Sequence, residues 1–239
     1  MTVKKDNLKP KTLFDVAFAC FLFGHVVDFD TSWLAFCRFV KGCPDIDRPE
    51  HRQALLTWLN QWGCRQFAKA HHEEASRVLL AWYEEYEGKL PPSETRGNEL
   101  TDANIQQAAE AYGVLSAQVA SWRSGAGGVT FGPVGAAKTL FALRPRSLPP
   151  WDTPIRDALA LDRSAESYGQ YVAYVREIIL DLATQCRRHG FGIEDLPARI
   201  GREEMTLPKL IDEYFWITIT RKCCIPGVTS LTEWLAWIK

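Results

Sequence analysis

One stripe of apolar residues constrains the fold more than any other feature. Tyr168, Tyr171, Val172, Val175, Ile178, Ile179 and Leu182 fall at i, i+3, i+4, i+7, i+10, i+11 and i+14. That spacing puts them on one face of an α-helix and on no single face of a strand. Val78, Leu79, Trp82, Tyr83 and Tyr86 repeat it, as do Leu207, Leu210, Ile211, Tyr214 and Phe215. Asp30-Thr31-Ser32 offers a cap for a helix through Val40, and Thr101 with Asp102 opens another towards Tyr112. Ser230 caps a last helix carrying Leu231, Trp234, Leu235 and Ile238. Strand signals are thin, because Val129-Thr130-Phe131 is too short and Trp216 to Thr220 continues a helical stripe. The pattern predicts an all-α protein of about ten helices, with strand content below about a tenth.

The stretch GKLPPSETRGN, Gly88 to Asn98, has the composition of a linker. It divides the chain into an N-terminal helical lobe, 1–90, and a second lobe, 99–239, or else the two form one continuous domain. With 239 residues, either arrangement buries a sizeable core. A net charge of −1 gives no global basic field, so a nucleic-acid partner would need a local basic patch. The seven cysteines are odd in number, scattered and without a C-x-x-C pair. They read as free core residues in a reducing, cytoplasmic setting, with no metal and no cofactor. Lys4, Lys5, Lys9 and Lys11 precede an apolar run from Leu13 to Phe23, which looks superficially like a secretory signal. Asp15 interrupts that run, and it is too short to cross a membrane, so it reads as a buried first helix.

The segment GPVGAAKT, Gly132 to Thr139, is one substitution from a nucleotide-binding P-loop. Three supports are missing. No apolar strand precedes it, Ala137 stands where the loop needs glycine, and the sole apolar run ending in an acid, Ile178 to Asp181, lies inside the helical stripe. Nucleotide binding is therefore not expected here.

Read further, FGPVGAAKTLFALRPRSLPPWDTPIRDAL, Phe131 to Leu159, has a glycine turn, a short helix from Ala136 to Leu143, a proline-rich connection and an acid opening another helix. That order resembles the signature region of the helix-hairpin-helix DNA glycosylase superfamily, over about thirty residues. The resemblance implies a helix-hairpin-helix-like turn at Gly132 and Gly135 that offers backbone amides to a DNA phosphate. It implies Lys138 and Asp152 as catalytic residues. The lysine would attack the sugar carbon if its pKa is lowered, and the aspartate would stabilise a cationic sugar or activate water. The implied activity is cleavage of an N-glycosidic bond in base-excision repair, with DNA as partner.

Two alternatives stand beside that reading. Asp152-Thr153-Pro154 is a good helix start in its own right, so Asp152 is a cap, a catalytic acid or a ligand contact. Lys138 is equally an ordinary solvated lysine. Between Gly125 and Arg163 the basic residues Lys138, Arg144, Arg146, Arg156 and Arg163 outnumber Asp152, Asp157 and Asp162. Arg144, Arg146 and Arg156 are the candidate DNA contacts there, with Arg187-Arg188-His189 and Arg221-Lys222 as further basic groups. Trp151, Trp122 and Tyr168 are candidates to stack on an extruded base. The rival function is a non-catalytic helical protein on the same scaffold, binding nucleic acid or another protein.

Overall fold

In the computed structural model, the described residues are 8–67, 69–123, 127–227, 229, 230 and 236. Among them the chain is all-α apart from one small sheet. The helices are α1 (Leu13–Val26), α2 (Phe29–Val40), α3 (Pro49–Gln61), α4 (His72–Tyr86), α5 (Asp102–Ala117), α6 (Gly132–Leu143), α7 (Thr153–Ala158), α8 (Ala165–Arg188), α9 (Leu196–Arg199) and α10 (Leu207–Phe215). No described helix is long and apolar enough to cross a membrane.

The sequence explains where most of these begin. Thr12 and Asp15 form a capping box at α1, Thr101 and Asn104 form another at α5, and the Ser164 hydroxyl accepts from the Ser167 N–H at α8. Proline in the first turn starts α3, α6, α7, α9 and α10, where its missing N–H has no partner to lose. One start differs from expectation. α2 begins at Phe29, and Asp28, not Asp30, precedes it. Asp30 is instead drawn inward to a buried cation, as described below. The last expected helix, Ser230 to Ile238, lies mostly outside the described residues.

The stripe read from residues 168–182 is the buried face of α8, which packs on α5 and α10. α6 lies between α5 and α3, and α1 lies along α10. The core is one continuous apolar cluster that includes residues before and after 88–98. Trp33 of α2 meets Phe141 of α6 with ring centroids 4.6 Å apart. The proline-rich segment is itself fastened down. The Gly97 N–H donates to the Arg146 carbonyl at 2.8 Å, and Leu90 is buried.

Two features correct the expected layout. β1 (Val119–Arg123) pairs antiparallel with β2 (Gly127–Thr130), Trp122 opposite Gly128. This hairpin joins α5 to α6, just ahead of Gly132 and Gly135, at which the resemblance placed a helix-hairpin-helix-like turn. Strands of five and four residues fall below what alternation in the sequence can signal. Gly132 starts α6 at φ +67°, a left-handed conformation that glycine adopts without strain. Gly135 belongs to α6 itself and faces Gln66 and Phe67, where a Cβ would come within 3.2 Å of the phenyl ring. It is a packing glycine, not a turn.

Candidate functional site

Between the start of α6, the start of α7 and α10 lies a cleft of about 550 Å³. That is a volume typical of small-molecule sites. Lys138 reaches it from the middle of α6 and Asp152 from the residue before α7. Their side chains meet, with Lys138 Nζ 2.8 Å from Asp152 Oδ1. The ammonium also donates to the Trp62 carbonyl at 2.8 Å and lies 5.4 Å from the centroid of the Trp62 ring.

This geometry removes the surface-lysine reading of Lys138 and the pure-cap reading of Asp152. Lys138 is only 6% exposed, so it is not a surface lysine. Asp152 occupies the N-cap position of α7 but makes no side-chain cap hydrogen bond, because its carboxylate is turned towards Lys138. The expectation of a lowered lysine pKa is also corrected. Burial pulls the Lys138 ammonium down, but neighbouring negative charge, that of Asp152 first, outweighs it and holds the group above the ordinary lysine value. A lysine kept protonated is a poor nucleophile and a good anchor for a carboxylate.

Behind this pair lies a second buried ion cluster, centred on Lys209 of α10. Its ammonium lies 3.2 Å from Glu213, 3.5 Å from Asp212 and 4.0 Å from Asp30. It also sits 4.1 Å from the Phe23 ring centroid and 5.4 Å from that of Trp62. Arg202 pairs with both Glu213, at 2.6 Å, and Asp30. The cluster holds the Lys209 ammonium above its ordinary value despite complete burial. Lys209 and Asp212 line the cleft together with Lys138 and Asp152.

Aromatic rings supply the rest of the wall. Phe29 stands 6.4 Å from Trp62 and 6.3 Å from Trp216, centroid to centroid, and is 40% exposed. A planar ligand has a free ring face there. Arg163 lines the cleft too, as do Arg156, which is buried and paired with Asp157 at 3.2 Å, and Gly132 at the α6 N-terminus, which has no side-chain cap. Cys64 also lines the cleft, but burial pushes its thiol up to about 11, so it is no thiolate at neutral pH.

The other sequence candidates go elsewhere. Trp151 is fully buried, its indole N–H donating to the Pro133 carbonyl, and Tyr168 is buried with its hydroxyl on the Pro149 carbonyl. Neither can stack on a base. Trp122 is exposed on β1 beside Glu74 and does not line the cleft. Arg144 is buried and donates to the Pro91 and Leu143 carbonyls, while Arg146 pairs with Glu94 on the surface. Of the three arginines expected at DNA, Arg156 alone lines the cleft. Arg187 and Arg188, exposed at the end of α8, do not line it.

Comparison with protein-family models, with curated proteins and with solved structures gives no match. The likeness to helix-hairpin-helix glycosylases therefore rests on residues 131–159 alone.

The P-loop reading loses its last support in the same geometry. Lys138 is committed to Asp152 and Trp62, and the Thr139 hydroxyl donates to the Gly135 carbonyl within the helix. Neither is free for phosphate or magnesium. Millimolar ATP or GTP with magnesium is expected to leave the melting temperature unchanged, since a ligand raises it only by binding the folded state. A concentration-dependent rise that vanishes in Lys138→Met would overturn this.

Proposed function

We infer that the cleft takes up a nucleotide extruded from DNA and hydrolyses its N-glycosidic bond, with Asp152 as the carboxylate facing the sugar. One observation carries the reading. Two residues singled out from a thirty-residue resemblance, on different structural elements, meet at 2.8 Å in the wall of a ligand-sized cleft. Asp152 remains 29% exposed on the cleft side, so its carboxylate is available to a substrate. Lys138 fixes that carboxylate in place and stays an ammonium. It is a positioning residue and forms no Schiff base. Phe29 offers a face to the base, and Arg163 and the uncapped α6 N-terminus provide positive potential for a flanking phosphate.

A second reading, a binding protein without chemistry, is favoured by the internal pairing of Lys138 and Lys209. Networks of that kind also arise for purely structural reasons. The deciding experiment measures binding and base release together. Duplexes carrying uracil, hypoxanthine or an alkylated purine are expected to bind more tightly than undamaged DNA and to lose the modified base. Arg163→Ala should weaken binding to every duplex alike and lower the salt slope by about one. Binding without any base release would leave the second reading standing and remove the first.

A further inference from the structure

Among the described residues the buried ion pairs behind the cleft do not balance, Arg156 being taken up by Asp157 at 3.2 Å. Lys138, Lys209 and Arg202 face four carboxyl groups, those of Asp152, Asp212, Glu213 and Asp30. A buried cluster with one carboxyl in excess lowers its energy by retaining a proton, and the proton goes to the carboxyl that is least compensated. Asp152 has Lys138 at 2.8 Å, Glu213 has Arg202 at 2.6 Å and Lys209 at 3.2 Å, and Asp30 has Arg202. Among the described residues Asp212 has one ion-pair partner, Lys209 at 3.5 Å, which it shares, with the Lys138 charge acting from further off.

Asp212 is also well placed to use that proton. It lines the cleft, and the cations beside Asp212 and Asp152 each lie 5.4 Å from the centroid of the same indole, Trp62. Both carboxyls thus hang from ammonium groups that share one ring. The charged and titratable groups around Asp212 are Lys209 and Glu213 on its own helix, Lys138 on α6, Asp152 before α7 and Tyr171 on α8. Burial pushes its carboxyl up to about 7, with Lys209 opposing and Asp152 reinforcing the rise. Two carboxyls whose surroundings drive them to opposite protonation states divide the work of acid and base between them.

Resting on the glycosidic reading above, we propose that Asp212 is the proton donor to the departing base, which extends the substrates of this cleft to nucleotides whose base is uncharged and must be protonated to leave. The Asp212 carboxyl gives its proton to a ring nitrogen or oxygen of the base as the bond from the sugar C1′ breaks and its electron pair leaves with the base. Water adds its oxygen to C1′ and gives a proton to the Asp152 carboxylate. That proton returns through solvent to Asp212. The net reaction is hydrolysis, and water is the one co-reactant.

The test compares wild type with Asp212→Asn on duplexes containing hypoxanthine, which without acid help must leave as an anion, and 7-methylguanine, which is cationic in the nucleotide and leaves neutral. Asp212→Asn should lose about 10²-fold on hypoxanthine and change little on 7-methylguanine, because a positioned general acid contributes on that scale only where protonation is required. The wild-type basic limb near pH 7 should disappear on hypoxanthine. Folding is read separately. A carboxyl raised from 3.8 to about 7 in the folded state costs stability as pH rises through 7, so Asp212→Asn should match wild type at low pH and melt higher at pH 8. Equal losses on both substrates, or none on hypoxanthine, would overturn the role of Asp212 while leaving the glycosidic reading intact. Release of neither base by wild type would overturn both.

Discussion

Asp152→Asn should reduce base release on the order of 10³-fold, the scale on which removing a group that stabilises transition-state charge is felt. The amide keeps the shape of the carboxylate and removes its charge, so substrate binding should survive. Stability should also fall. Asn and Asp are nearly equivalent as caps, but no cap bond exists here to be preserved. The loss comes from Lys138, which keeps the Trp62 carbonyl and loses its counter-ion. Breaking a buried pair costs about 3–5 kcal/mol. The part-exposed Asp152 side chain brings the expected cost down to about 2 kcal/mol. Lys138→Met separates the two roles of the pair. It should lower activity by roughly tenfold, as loss of a positioning group does, and borohydride should trap no adduct in wild type. A covalent adduct trapped through Lys138 would restore the nucleophile reading and end this one.

The largest loss of stability is expected from Glu213→Ala. Glu213 is fully buried, is the carboxylate nearest to Lys209 and also pairs with Arg202. Its removal leaves two buried cations with Asp30 and Asp212, so the cost should be about 3–5 kcal/mol. For a chain of this length that lowers the melting temperature by on the order of 10 °C. Glu213→Gln keeps an acceptor oxygen and should lose less. The check is thermal unfolding of the three proteins at one pH and salt. A melting temperature within a degree or two of wild type for Glu213→Ala would show the cluster to be dispensable to the fold.

The helical architecture was legible because its signals are local. The stripe from Tyr168 to Leu182 and the cap at Thr101 need only neighbours in sequence to be read. The β1–β2 hairpin was missed because its strands are too short to alternate. The site was half legible. Lys138 and Asp152 carried a pattern, although its supposed turn at Gly132 and Gly135 is absent. Lys209, Asp212 and Glu213 did not stand out, since K-x-x-D-E on a helix usually reads as a solvated face of i, i+3 and i, i+4 pairs. Only the packing of α1, α2 and the segment around Trp62 over α10 buries that face. A charged triplet embedded in the apolar run from Leu207 to Phe215 was the one sign available. The arginines failed in the opposite way, because composition cannot tell Arg144, locked to the Pro91 carbonyl, from Arg156 at the cleft.

The pairing of α1 with α10 also sets an order of events during synthesis. Val16, Ala19, Cys20 and Phe23 are buried, and the Cys20 thiol donates to the Leu210 carbonyl 190 positions later. An emerging chain therefore carries an unpartnered greasy helix for most of the ribosome's transit. Contacts so distant in sequence form late, and exposed apolar surface waiting for them invites association with other chains. The same α10 brings Lys209 and Asp212, so the step that quenches the sticky helix is also the step that completes the cleft.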